Sequence, residues 1–437
     1  MYSYVKSDEY KKYFRSFPSK YKTLKYEGHS MELTSCHWGQ IKLLYSEIEF
    51  LTIVSKYLPL KDCLIVYVGA APSIHTPLLL EMFPDSNWFL IDPAKFAIKE
   101  SKQVKIKNDF FTDETMKETR EIAKDKKIIF ICDMRSGIDE KTIWENMINQ
   151  QKWAIELNSE FIMLKFRLAY TNEESKNMNF DYDLDNIKDK FVLTNEKKKK
   201  EQQLYLRGKI FVQIFSPVHS TETRLITSKL KYVNNKLKKP VESTDLEKYM
   251  FKYYDYQKYE EQLNYFNLRD RLSKFEYKDS KQIHKYVIGY DDSYSCVGCY
   301  YILYKYFKNY KKIKYDFEEI VKLLFKIDKF MIKEVKNKTL VLCTLFNNLR
   351  TILQHKEINI KIPKECINSF INLIYQVRKT YNNQVNNLNQ LIDKTEQLRL
   401  HNGKFIDFNK HKLIFIKYNK IIIDEKTLNN LKKFLLG

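Results

Sequence analysis

Four side chains in this sequence are of kinds that can take a proton from a hydroxyl: Lys42 in "GQIKLL", Asp133 in "FICDMRSG", Lys165 in "IMLKFR" and Glu222 in "STETRLI". A lysine is a base only in its neutral form, and a free lysine titrates near ~10.4. A neighbouring cation and partial burial favour that neutral form, while carboxylates orient the ammonium groups. Two lysines and two acids therefore suffice for a hydroxyl that attacks a positively charged donor in line. Taken singly, an acid at a strand end or a lysine in a strand is commonly solvated or salt-bridged. Their joint placement is what matters.

Three of the four fall at strand ends. Between residues 60 and 230, short branched apolar runs alternate with charged helix-compatible stretches, which is the pattern of a mostly parallel sheet with helices on both faces. The strand candidates are 63–69, 87–92, 126–134, 160–167, 209–215 and 223–228, read as buried by length and branching. Lys42 lies on a lead-in helix over 39–58, where apolar residues recur at helical spacing. The charge run "NEKKKKEQQ" at 195–203 reads as a solvated loop or helix end, with a phosphate-contacting patch as the alternative. From 311 onward, long Leu/Ile/Lys patterns predict helices, and the C-terminal stretch predicts two or three short strands and a final helix. The expected division is 1–310 and a mainly helical 311–437.

A chain of 437 residues with 44% hydrophobic residues can bury a large core and suggests two domains. No apolar run is long enough to span a bilayer, and the N-terminus "MYSYVKSDEYKKYF" lacks the apolar region of a secretory signal. A soluble protein of the cytosol or nucleus is expected. Seven scattered cysteines fit a reducing compartment, and the close pair Cys296 and Cys299 lacks a second pair for zinc, so both are expected to pack. Lys and Arg number 76 against 55 Asp and Glu, a net charge of +21 that favours polyanionic partners. An AT-rich coding sequence can also produce such lysine content, so charge alone does not decide for nucleic acid.

The loop after the first strand, "VYVGAAPSIH", lies where α/β sheets bring the backbone close to a ligand. It has neither GxxxxGK followed by Ser or Thr nor GxGxxG, which disfavours a phosphate cradle. Asp92 ends the second strand candidate and is placed to accept hydrogen bonds from both hydroxyls of an adenosine ribose. Small loop residues would let an amino-acid moiety lie against the backbone. S-adenosylmethionine fits that combination better than a dinucleotide.

The segments "GQIKLL", "YVGAAPSIH", "LID", "CDMRS", "LKFR" and "TETRL" together resemble the poxvirus-type cap-specific mRNA 2′-O-methyltransferase family, a resemblance that covers residues 26 to about 310. Members of that family double as the stimulatory subunit of a viral poly(A) polymerase. The resemblance implies a Rossmann-like S-adenosylmethionine-dependent methyltransferase sheet and a tetrad with Lys165 as general base. Lys42 and Asp133 would tune and position it, and Glu222 would hold Lys165 or Lys42. It implies cofactor contacts from Gln40, Tyr67, Gly69, Ser73, His75, Asp92, Phe111 and Arg135, with a helix-terminal packing role as the alternative for His75. At Ser73 the family usually has glycine. Either the backbone avoids positive φ there, or the serine accepts strain while offering its hydroxyl to the cofactor.

For the cap, the resemblance implies that Tyr26 and Tyr170 stack on 7-methylguanine and that Glu247 binds its edge. Asn172 stands where the family has aspartate, an amide that keeps an acceptor without the negative charge. Arg135, Arg167 and Arg224 flank the tetrad residues, a spacing that suits the phosphates of the first transcribed nucleotides. The expected partners are capped mRNA and a poly(A) polymerase catalytic subunit, with no membrane, in the cytoplasm, viral factory or virion of an infected cell. The rival reading is a non-catalytic RNA-binding or polyadenylation cofactor that retains the fold.

Overall fold

The computed structural model describes residues 15–17, 21–25, 39–170, 189–193, 202–216, 220–232, 247–267, 294–313, 317–334, 359–360 and 421–422. In chain order the strands are β1 Cys63–Val68, β2 Trp88–Ile91, β3 Val104–Lys107, β4 Lys127–Cys132, β5 Phe161–Phe166, β6 Phe191–Leu193, β7 Gln202–Leu206, β8 Lys209–Val212, β9 Thr223–Ser228 and β10 Tyr249–Asp255. Seven of them form one sheet in the order β3-β2-β1-β4-β5-β9-β8. The first five are mutually parallel, and β9 runs antiparallel between β5 and β8. All six strand candidates lie in this sheet. β6, β10 and β7 make a second, three-stranded sheet.

The central strands are apolar along their whole length because both faces are covered: every residue of β1 and β2 is buried. The order reverses beside β1, where β4 rather than β2 continues the sheet, and such a reversal opens a crevice at the carboxyl ends of the strands. Asp92 and Asp133 are the first residues past β2 and β4 and face that crevice region.

The helices are α1 Gly39–Val54, α2 Thr76–Met82, α3 Asp113–Ala123, α4 Glu140–Glu156, α5 Tyr256–Tyr265, α6 Tyr294–Tyr306 and α7 Phe317–Glu334. Thr112, Asp139 and Asp255 cap α3, α4 and α5 by accepting from the backbone N–H three residues on. α1 is buried nearly all round, including Lys42 and Glu47, since it belongs to the main core and also packs against α6. α7 buries Ile320, Leu324, Ile327 and Met331, a stripe at helical spacing, and packs on α6. The division expected at 310/311 falls between these two helices.

Beyond α7, the structure describes one antiparallel pair, β11 Asn359–Ile360 with β12 Ile421–Ile422. The remaining C-terminal helix and strand expectations, residues 195–201 of the charge run, Tyr26 and Asn172 lie outside the described residues. Cys299 is buried in α6, and among the described residues no group of three or more His, Cys, Asp or Glu is arranged to hold a metal ion. No described helix is long and apolar enough to cross a membrane.

Candidate active site

Four separate elements bring the lysines and acids together. Asp133 follows β4, where its N–H bonds Val68 O at 2.9 Å; Lys165 is the fifth residue of β5; Glu222 immediately precedes β9; Lys42 lies in the first turn of α1. Lys165 Nζ is 3.1 Å from Asp133 Oδ1 and 3.3 Å from Glu222 Oε2, and Lys42 Nζ donates to Glu222 Oε1 at 2.8 Å. A fifth charged residue completes the cluster. Arg224 pairs with Lys165 across the β5–β9 register, so both side chains rise from one face, and its NH2 lies 2.5 Å from Asp133 Oδ1 and 3.6 Å from Glu222 Oε1. Buried Gln213, with its amide oriented to satisfy both neighbours, donates to Glu222 Oε1 at 3.2 Å and accepts from Arg224 Nε at 2.6 Å.

Two carboxylates thus serve three cations, and neither acid belongs to one of them alone. Burial opposes ionisation of Asp133, yet Arg224 and Lys165 outweigh it and hold the carboxyl below its ordinary range. At Glu222 burial is likewise overridden, by Lys42, Lys165 and Arg224, and the carboxyl is held well below. The Lys165 side chain keeps 12% of its surface open to solvent, against 3% for Arg224. Gln150 steadies the end of β5 by donating to Lys165 O at 2.5 Å.

The loop after β1 packs against this cluster. Gly69 has φ +76°, and a Cβ there would lie 2.7 Å from Met134 N and 2.9 Å from Asp133 C. Only glycine allows the two loops to touch. Asp92 receives Ala71 N–H on Oδ2 at 3.1 Å and Ala94 N–H on Oδ1 at 2.8 Å. Ser73 adopts φ 55°, and its hydroxyl donates to Ala70 O at 2.6 Å while remaining fully buried. Of the two readings at this position, the strained backbone is the one found, with the hydroxyl closing its own loop.

His75 is fully buried, with Nε2 at 2.7 Å from Glu47 Oε2 and Nδ1 at 2.9 Å from Gln40 Oε1. It precedes α2 and ties that helix start to α1. Tyr67, buried beneath the loop, has its phenol pushed well up by burial and then by the Glu47 and Asp133 carboxylates. Gln40, Tyr67 and His75 therefore form a polar layer under the loop.

The remaining sequence candidates are placed differently from one another. Phe111 packs edge-on to Trp153 at 5.0 Å between ring centroids and stands 6.2 Å from Phe130, so its ring is in the core. Arg135 donates to Ile143 O at 3.2 Å, fixing the loop after β4 to α4. Arg167, expected on phosphates, is buried against Glu140, whose other oxygen accepts Tyr170 N–H at 2.9 Å; its guanidinium lies 3.8 Å from the centre of the Tyr170 ring. Arg224 is likewise turned inward, by the carboxylates it pairs with. Glu247 lies far from the tetrad. It is 2.8 Å from both Lys229 and Lys231, past the far end of β9, about 20 Å from Glu222 at ~3.4 Å per strand residue. Pairing to those lysines holds it there, and no edge-binding position beside Tyr170 results.

Residues 9–336 match the profile of the family described as poly A polymerase regulatory subunit. The chain belongs to that family. Among curated proteins it is similar to the cap-specific mRNA (nucleoside-2′-O-)-methyltransferase of fowlpox virus (strain NVSL), 31% identical over 119 residues, covering 25% of this chain and 39% of that one. The protein of the same name from myxoma virus (strain Lausanne) is 26% identical over 218 residues, covering 47% and 57%. The chain thus spans between 39% and 57% of the length of these relatives. Among solved structures, bluetongue virus VP4, described as a multifunctional RNA-capping production line, aligns over 58% of this chain and 35% of its own. At 12% identity and a TM-score of 0.36, that likeness is too low to bear on the fold or the site.

Sequence reasoning on this family member missed Glu47, Gln213 and the inward role of Arg224. Each had a signal. Glu47 is an acid inside the largely apolar "LLYSEIEFL", and Arg224 follows Glu222 by two, the period that returns a strand to one face.

Proposed function

We propose that this protein transfers a methyl group from S-adenosylmethionine to the ribose 2′-hydroxyl of the first transcribed nucleotide of 7-methylguanosine-capped mRNA, converting cap 0 to cap 1. The observation that carries the proposal is the convergence of Lys42, Asp133, Lys165 and Glu222 from four elements at 2.8–3.3 Å, beside the loop after β1. The residues present fit the cofactor. Each Asp92 oxygen takes one backbone N–H and retains acceptor capacity for ribose hydroxyls. When bound, S-adenosylmethionine supplies an electrophilic methyl on a cationic sulfur.

In this reading Lys165 takes the 2′-hydroxyl proton on Nζ as the oxygen forms its new bond, then releases it to solvent. Asp133 and Glu222 aim the Lys165 amine by charge-assisted hydrogen bonds. Lys42 and Arg224 pair with the same carboxylates and help hold them in place. Tyr170, set by Arg167 and Glu140, is the stacking surface for the cap. Family membership and the names of the poxvirus relatives support the reading. They also support a second role as partner of a poly(A) polymerase catalytic subunit and a cytoplasmic site of action.

The test is methyl transfer from labelled cofactor to short capped RNA. Lys165→Ala should lower the rate by about 10²- to 10⁴-fold, the usual contribution of a general base, and uncapped RNA should be a poor acceptor. No transfer by the native protein, with RNA binding retained, would favour the non-catalytic cofactor instead.

A further inference from the structure

A second positive surface lies at the β8 edge of the sheet. Lys56 follows α1, fourteen residues beyond Lys42, which places it about 20 Å away at 1.5 Å per helical residue. Lys209 is the first residue of β8, and Lys305 and Lys308 lie at the end of α6 and in the turn after it. These four lysines, from three elements, act on one another. Burial, then Lys308 and Lys209, hold the Lys56 ammonium below its ordinary pKa; burial, then Lys308, Lys56 and Lys209, do the same to Lys305. Glu49 opposes the effect on Lys305 but is itself held by Arg15 at 2.7 Å. Among the described residues, Lys56, Lys209 and Lys308 have no carboxylate within ion-pair distance.

Lys209 also lines a cavity of about 480 Å³ together with Lys252, Lys258, Gln202, Tyr253 and Asp255. Asp255 is engaged in capping α5, through Lys258 N–H at 2.8 Å. Aromatic faces accompany the cations. Lys305 stands 5.3 Å from the Tyr301 ring centre and Lys308 5.8 Å from that of Tyr304, while Tyr57, next to Lys56, is 48% exposed. Like charges gathered on one rim store repulsion that a polyanion relieves, and the exposed Tyr57 ring beside Lys56 suits a stacked base rather than an acidic peptide.

We propose that the rim formed by Lys56, Lys209, Lys305 and Lys308, with the adjoining cavity, binds the phosphodiester backbone of single-stranded RNA at a second site remote from the tetrad. It is independent of methyl transfer, because none of its residues reaches the reacting cluster.

The experiment is fluorescence anisotropy of an uncapped oligouridylate of about 20 nucleotides between ~50 and ~200 mM salt, with the full chain. The variant Lys56→Gln/Lys209→Gln/Lys308→Gln should bind on the order of tenfold more weakly. Its log–log salt slope should be shallower by about 2, from ~0.7 per phosphate contact. Lys56→Arg/Lys209→Arg/Lys308→Arg should retain native affinity and slope, which separates charge from folding. Transfer to a capped RNA only a few nucleotides long should be unchanged in both variants, and if native protein transfers no methyl, the anisotropy arm still reads this site. An unaltered slope in the glutamine variant overturns the proposal. So does polyglutamate of equal charge competing as well as RNA, which would make the surface a dock for an acidic protein.

Discussion

Both ends of the β5–β9 strand pair carry a cluster of two carboxylates with lysines, and the two clusters resolve their charge differently. At the Lys165 end, Asp133 and Glu222 are divided among Lys42, Lys165 and Arg224. At the other end, Lys229 has no exposed side-chain surface and is clasped by Glu160 at 3.2 Å and Glu247 at 2.8 Å, while Lys231 lies 2.9 and 2.8 Å from the same two acids. The Tyr232 hydroxyl donates to Glu160 at 2.8 Å. There the acids and cations match in number, and the result holds the turn after β9 against the start of β5. At the tetrad end a cation is in excess, and Lys165 keeps an opening to solvent. Similar residue types therefore form a matched clamp at one end and, in the proposed function, a reactive group at the other; stoichiometry and access distinguish the two.

The largest test of that contrast is Glu222→Gln, which leaves three buried cations around Asp133. Loss of one member of a buried ion-pair network costs about 3–5 kcal/mol, so urea unfolding should show a drop of that order. A loss under ~1 kcal/mol would show that the surplus cation is already tolerated and that the two ends do not differ in kind.

Acid titration gives an intermediate test. A carboxyl whose pKa is depressed by folding contributes stability above its unfolded value near ~4.3 and loses it as pH falls through the folded value. Glu222 is held well below the ordinary range. Glu160 is held below it by hydrogen bonds from Lys231 and Tyr232 that overcome burial, and Glu247 by hydrogen bonds from Lys229 and Lys231. Carboxyl carbon shifts should therefore show Glu160 and Glu247 protonating at higher pH than Glu222, so the clamp opens before the tetrad. The reverse order would remove the distinction.

The smallest effect is expected for Glu247→Gln. Its carboxylate is 61% exposed and screened, so the change should cost about 0–1 kcal/mol and leave discrimination between capped and uncapped RNA intact. A selective loss of cap preference would return Glu247 to the cap.

The strands of the main sheet were legible where burial on two faces demands continuous branched residues, as in "CLIVYV" and "FIMLKF". β3 was not, because its edge sequence "VKIK" fully buries only Val104. β7 and β10 were hidden by tyrosines and glutamines: Tyr205, Tyr249 and Tyr254 are buried with their hydroxyls bonded to Met147 O, Ser159 O and Leu206 O, which a reading by polarity misses. Within the site, identity and order of the four charged residues could be read from motifs. Direction could not. Arg167 and Arg224 are cations beside a presumed RNA path in the sequence, yet cross-strand register and the Glu140 carboxylate turn both inward.

The left-handed backbone at Gly69 has a mechanical meaning. With no Cβ between them, the loop after β1 and the backbone at Asp133–Met134 are in direct contact, so neither can shift without displacing the other. If the loop seats the methyl donor and Asp133 aims the base, one backbone contact sets the alignment of donor and acceptor. Productive geometry tolerates errors of only about 0.5 Å, and here that tolerance is inherited from the rigid β1–β4 pairing of the sheet, before any ligand arrives.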